Sequence, residues 1–191
     1  MTTANQKNGF TLLEIIVSLS LFALVIILVS SIFITAQRSY NKNAAQAELS
    51  QNVRVALDRL SRELRQAENI ITALPPAEDD PLNPPAELIF FQDGHDDSRI
   101  TYLKYYLNGT NLKRERKAYY FPDEPSVYVA YSAVGPGGEL PQEEIIEDYV
   151  VGEYFNGLEF WGSNGLININ FNLLKNQNSA VIESSIYSRN H

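Results

Sequence analysis

Hydrophobic positions along the chain change their period twice. From Ile15 to Ala36, 17 of 22 residues are apolar, none is charged, and the rest are Ser or Thr. A helix over this stretch is apolar all round and rises roughly 33 Å, enough for the hydrocarbon core of a bilayer. A buried core helix of that length normally keeps a polar face, and this one has none. After Arg38 the pattern becomes amphipathic. Leu49, Val53, Ala56, Leu57, Leu60, Leu64, Ala67 and Ile71 recur at steps of three and four, which predicts one apolar stripe on a continuing helix. The opposite face is assigned Arg54, Asp58, Arg59, Arg62 and Glu63, with Asp58–Arg62 and Arg59–Glu63 as i,i+4 pairs.

Beyond residue 74 the pattern alternates in twos. All nine prolines lie at or after Pro75, and after Gly9 the next glycine is Gly94, so no helix breaker interrupts Phe10 to Leu74. Leu74 to Glu87 holds five prolines and ends the helix. Strands are expected at Leu88–Gln92, Ile100–Leu107, Leu112–Tyr120, Ser126–Val134, Leu158–Trp161, Leu166–Leu174 and Ala180–Ser188. Asn108-Gly109 and Asn164-Gly165 are hairpin signals. Ile167, Ile169, Phe171 and Leu173 share one strand face and Asn168, Asn170 and Asn172 the other, which predicts a sheet with one face under the helix. Glu139 to Asp148 holds five acids and reads as a loop. The fold class is α+β: a long N-terminal helix, transmembrane in its first half and amphipathic in its second, packed on an antiparallel β-sheet head.

Composition narrows the chemistry. Over 191 residues, 15 Lys and Arg stand against 23 Asp and Glu, a net charge of −8, which argues against a dedicated nucleic-acid binder. There is no cysteine, so disulfides, Cys-ligated metals and thiol nucleophiles are excluded. Two histidines, His95 and His191, leave little for a His-based site. No nucleophile elbow, phosphate loop, zinc signature or suggestively spaced acid pair is present, so the chain is expected not to be an enzyme.

The N-terminal flank carries the most specific pattern. Eight residues with one Lys (Lys7) lead into Gly9-Phe10-Thr11-Leu12-Leu13-Glu14 and the uncharged run. A secretory signal peptide would be cut after the apolar stretch, and Ile34-Thr35-Ala36 fits such a cut poorly. A plain signal anchor leaves Glu14 unexplained, because a carboxylate at the edge of a lipid-facing helix costs free energy unless it is paired. These residues resemble the prepilin-type processing signal of type IV pilins and type II secretion pseudopilins. The resemblance implies cleavage by a membrane prepilin peptidase between Gly9 and Phe10, N-methylation of Phe10, and a meeting of the Glu14 carboxylate with the N-terminal amine of a neighbouring subunit during assembly. Such pairing in a low-dielectric helix bundle neutralises both charges.

Residues Val55 to Ala67, Ile100-Thr101-Tyr102, Leu112-Lys113-Arg114 and Ser188-Arg189-Asn190 are similar to J-type minor pseudopilins and their W-type minor pilin relatives. Ser31 stands where major pilins usually bear a helix-kinking proline, and the C-terminal cysteine pair of many major pilins is missing; both favour a minor subunit. The implied organisation is a leader peptide (1–9), a transmembrane and assembly helix (10–37), an amphipathic helix (38–73), a Pro-rich linker (74–87) and a β-rich head (88–191). Implied partners are prepilin peptidase, an assembly platform, other subunits and the membrane itself through residues 15–36. The implied location is the inner membrane, with the head outside the cytoplasm.

Further clusters carry candidate chemistry. Asp93, Asp96 and Asp97, in Asp93-Gly94-His95-Asp96-Asp97, could ligate calcium, but they lack EF-hand spacing, so a solvated hairpin turn is preferred and no cofactor is expected. Lys113-Arg114-Glu115-Arg116-Lys117 is the one basic run; on a strand its charges split between faces, and a solvated edge strand is preferred over a phosphate patch. Trp161 is expected in the core, and Asn108-Gly109-Thr110 also fits a glycosylation pattern. The competing reading is an unprocessed, membrane-anchored extracytoplasmic binding domain, in which Met1 to Asn8 persist and Glu14→Ala changes nothing. A membrane-tethered hydrolase has no support in residue spacing.

Overall fold

The structure is a computed structural model and describes residues 11–95 and 99–188. One helix, α1 (Leu12–Gln66), opens the fold, and the chain divides into two compact units between Ala44 and Ala45. In the first unit the helix is exposed along its length, and it includes the one stretch among the described residues that is long and apolar enough to cross a membrane. Two of its hydroxyls are satisfied by the helix itself: Ser20 Oγ donates to the Ile16 carbonyl (2.8 Å) and Thr35 Oγ1 to that of Ser31 (2.9 Å). Such back-bonding lowers the cost of a hydroxyl on an apolar surface.

The second unit packs the rest of α1 on two antiparallel sheets. Sheet A contains β1 (Asn69–Ile70), β2 (Leu88–Gln92), β3 (Tyr102–Asn108), β4 (Asn111–Tyr120), β5 (Tyr128–Val129) and β6 (Gln142–Gly152). Sheet B contains β7 (Phe155–Ser163), β8 (Leu166–Lys175) and β9 (Asn178–Tyr187). Ala86 and Phe160 exchange two 2.9 Å backbone hydrogen bonds and tie the sheets together. Leu49, Val53, Ala56, Leu60 and Leu64 of α1 bury against Ile89, Phe91, Leu103 and Leu112 of sheet A and Phe155, Phe160, Ile167, Ile169, Phe171 and Leu173 of sheet B. The predicted stripe and the predicted face of β8 thus meet in one core. At roughly 1.5–3 kcal/mol per fully buried large apolar side chain, this contact dominates the docking of the helix.

Several boundaries differ from the sequence reading. The helix stops at Gln66, not at residue 73, although the apolar period continues through Ala67 and Ile71. Backbone pairing takes over there: Glu68 N–H donates to Gln92 O (3.1 Å) and Ile71 N–H to Phe90 O (2.9 Å). Gly94 makes the junction possible, since a Cβ at that position would lie 2.0 Å from the Gln66 carbonyl oxygen. The acid-rich segment read as a loop is largely strand β6, and the strand expected over Ser126–Val134 shrinks to the two residues of β5. Both hairpins form as signalled. Gly109 (φ 62) takes the first central position between Asn108 and Asn111, while Asn164 (φ 53) and Gly165 (φ 81) fill the other turn.

Candidate functional site

Gly9 and Phe10 lie outside the described residues, so the site is visible from Thr11 onward. Thr11 and Glu14 form a reciprocal capping box. Thr11 N–H donates to Glu14 Oε2 (3.0 Å), Thr11 Oγ1 donates to the same oxygen (3.1 Å), and Glu14 N–H donates to Thr11 Oγ1 (3.3 Å). The carboxylate therefore sits at the N-terminus of a 55-residue helix, where the helix dipole favours negative charge. Leu12, Leu13 and Ile15 around it are all exposed. Chemically, this is an acid held by its own helix start and surrounded by apolar surface, able to exchange its intrachain donors for an external cation.

A second charged cluster lies beneath the other end of the helix. Glu63, assigned to the solvent face by its charge, is only 8% exposed. Its carboxylate accepts from Tyr105 OH (2.6 Å), from Arg114 Nε (3.0 Å) and from Arg59 Nε (3.3 Å). Arg114 also donates through Nη1 to Glu147 (2.6 Å). Both guanidiniums lie against the Tyr149 ring, at 4.7 Å for Arg59 and 5.4 Å for Arg114. Burial, then the Glu63 charge and hydrogen bond, push the Tyr105 phenol far above its ordinary range, so it remains a donor. Burial pulls the Arg114 pKa down, but its bonds to Glu63 and Glu147 outweigh that and leave it raised. The i,i+4 pair Arg59–Glu63 exists as predicted, with sheet A as its unforeseen third party.

This overturns the edge-strand reading of Lys113 to Lys117. Strand β4 is interior to sheet A, flanked by β3 and β6, and Arg114, Glu115 and Lys117 are buried. The acids of β6 neutralise them: Asp148 accepts from Lys113 Nζ (2.6 Å) and Glu143 from Lys117 Nζ (2.9 Å). On the face away from α1, Tyr106 hydrogen-bonds Glu115, and the Tyr102 ring packs tilted on Phe90 and edge-to-face with Tyr119 and Tyr131, at centroid distances of 5.4–5.7 Å. Burial first, then Glu143, leave the Tyr119 phenol pushed up to about 12.

The Asp93 turn is not solvated as expected. Asp93 is buried, accepts from His95 N–H (3.1 Å) and Thr101 Oγ1 (3.4 Å), and lies 3.5 Å from Arg116. Its donors are already those of a structural turn. Asp96 and Asp97 fall outside the described residues, and among the described ones no group of three or more acids and histidines is placed to hold a metal. Trp161 is half-buried on β7 and stands outside the core.

Sequence reasoning missed Glu63 as a structural residue. The available signal was its spacing, seven residues after the fully buried Ala56 and therefore on the same helix flank.

No curated protein matches the chain. Residues 4–30 match the family model described as the prokaryotic N-terminal methylation motif, a span that includes Gly9, Phe10, Glu14 and the apolar run to Ser30. With the exposed apolar helix that follows, this match supports membrane anchoring and prepilin-type processing, the marks of the pilin and pseudopilin family, whose members are structural subunits.

Proposed function

We propose that the chain is a minor pilin or pseudopilin, a subunit of a type IV pilus-like or type II secretion filament that acts by assembly and not by catalysis. The observation that carries this reading is the methylation-motif match over residues 4–30, with Glu14 in the first turn of an otherwise uncharged helix. Prepilin peptidase cuts between Gly9 and Phe10 at the cytoplasmic side of the inner membrane, Phe10 is methylated, and the head stands outside the cytoplasm. On assembly, the Glu14 carboxylate leaves its bonds to Thr11 and takes the amine of a neighbouring Phe10. The apolar surface from Ile15 to Ala36 then exchanges lipid for the helices of other subunits. The minor assignment is supported by the uninterrupted helix, with Ser31 in place of a proline, and by the lack of cysteine.

The test separates processing from assembly in native cells. Glu14→Leu keeps the cleavage site and removes the carboxylate. It should yield a cleaved protein that stays in the membrane fraction and is lost from sheared filaments by tenfold or more. A Glu14→Leu chain that enters filaments like the unmodified one would contradict the role given to this residue.

A further inference from the structure

Where β7 passes beside β2 and β3, the two sheets border an open cavity of about 490 Å³. That lies within the roughly 300–1,000 Å³ of a small-molecule site. Lys104 and Tyr106 line it from β3, Glu159 from β7 and Asn172 from β8; Glu87, just before β2, and Asn156, at the start of β7, complete its polar wall. The strand residues alternate with side chains that meet α1: Leu103 and Tyr105 on β3, Leu158 and Phe160 on β7, Phe171 and Leu173 on β8. The cavity therefore opens on the face away from α1. Strands β3 and β8 are each interior to their sheet, paired on both sides, so Lys104, Tyr106 and Asn172 stand on rigid supports.

Elsewhere on this face the charges are spent on one another, Lys113 on Asp148 and Lys117 on Glu143. At the cavity they are not. Among the described residues, the side chains of Glu87, Lys104, Asn156 and Asn172 have no hydrogen-bond or ion-pair partner. Lys104 is held over the Tyr106 ring, 4.7 Å from its centre, and the Tyr106 hydroxyl is fixed by Glu115. Strand β8 carries Asn168, Asn170 and Asn172 on this one face, although strands disfavour asparagine. Asn170 is buried and donates through Nδ2 to Glu159 (3.0 Å), while its Oδ1 has no partner among the described residues. A buried amide with a bond unmade costs stability, and what this one does is hold the Glu159 carboxylate at the cavity. Asn172 has its place because residue 157 is glycine: a Cβ there would lie 2.8 Å from Asn172 Nδ2.

We propose that this cavity binds a saccharide, which gives the head a recognition role besides its structural one. The carboxylates accept hydrogen bonds, Lys104 donates, and the two free amides do both, which matches neighbouring sugar hydroxyls that donate and accept at once. The Tyr106 ring and Leu88 add apolar surface for the C–H face of a sugar ring. A small anion would be repelled by Glu87 and Glu159, and a metal cation by Lys104; a neutral polyhydroxyl ligand meets neither penalty. The cavity lies wholly within the head, so its occupation does not depend on processing or assembly of the chain.

The test uses the full chain purified in a phosphocholine detergent, which carries no sugar headgroup. Saturation-transfer NMR is recorded with the methyl glycosides of glucose, galactose and mannose and with N-acetylglucosamine. Transfer to at least one of these sugars is expected. Asn172→Ala and Glu87→Ala should each weaken the affinity for that sugar about tenfold, the effect of losing a hydrogen bond to a fixed polar group, with the melting temperature unchanged. Asn168→Ala, on the same face but outside the cavity, should bind like the unmodified chain. If Asn172→Ala destabilises the head, Lys104→Gln carries the same expectation, because Lys104 touches the Tyr106 ring and bonds to no other side chain. Transfer to none of the sugars would overturn the proposal. So would unchanged affinity in the cavity variants, or a loss in Asn168→Ala equal to theirs.

Discussion

Glu63 shows how much a single side chain can decide in this fold. A carboxylate with three donors under a helix is stable only while its cations remain, and removing one partner of a buried pair costs roughly 3–5 kcal/mol. Glu63→Ala should therefore lower the unfolding free energy of the head by that order, read by Trp161 fluorescence in denaturant. Glu63→Met combined with Arg114→Leu should lose far less, because no charge is left buried alone. The tyrosines give a second readout. Burial, and for Tyr106 first its bond to Glu115, raise the Tyr105, Tyr106 and Tyr119 phenols above 10. A folded-state pKa above the unfolded value means their contribution is complete below pH about 10 and lost as pH rises through the folded values. Spectrophotometric titration should show these three still protonated at pH 11, when exposed tyrosines have ionised; full ionisation of all the tyrosines at that pH in folded protein would contradict the geometry. None of this was legible from residue type. Glu63 and Arg114 lie 51 positions apart, and a charged i,i+4 pair read alone looks like a solvated face.

Elements were legible where their pattern is local. The apolar stripe of α1, the two Asn-Gly hairpins and the alternation of β8 are each set by neighbours within a few residues, and each appears in the structure. Strand β6 was missed because its charges conceal it: Glu143 and Asp148 look like loop residues until Lys117 and Lys113 stand opposite them. The helix end was missed because the three- and four-residue spacing continues past Gln66, while β2 captures the backbone. Two glycines separate turn strain from close approach. Gly109→Ala should cost about 1–2 kcal/mol, the penalty for a positive φ, since a Cβ there meets nothing within 4 Å. Gly94→Ala should cost more, because its Cβ would fall 2.0 Å from the Gln66 carbonyl and shift the join between helix and sheet. Equal melting temperatures for these two variants would contradict that distinction.

At the scale of the whole molecule, the chain joins an apolar helix that its own residues leave uncovered to a head with a complete core. The first needs lipid or other helices around it; the second is built to stand in water. Such a division suits a subunit drawn from a membrane into a filament, and the motif at residues 4–30 names the processing step that would begin that passage. The motif was readable because six adjacent residues, Gly9 to Glu14, carry it without help from the fold. The partners were less so, because surfaces that would receive them exist only after folding. The most direct test of the account is the intact mass and N-terminal sequence of the protein taken from its native membrane. The account predicts a chain that begins at N-methylated Phe10; a chain still beginning at Met1, in cells with active prepilin peptidase, would contradict it and leave an anchored binding domain in its place.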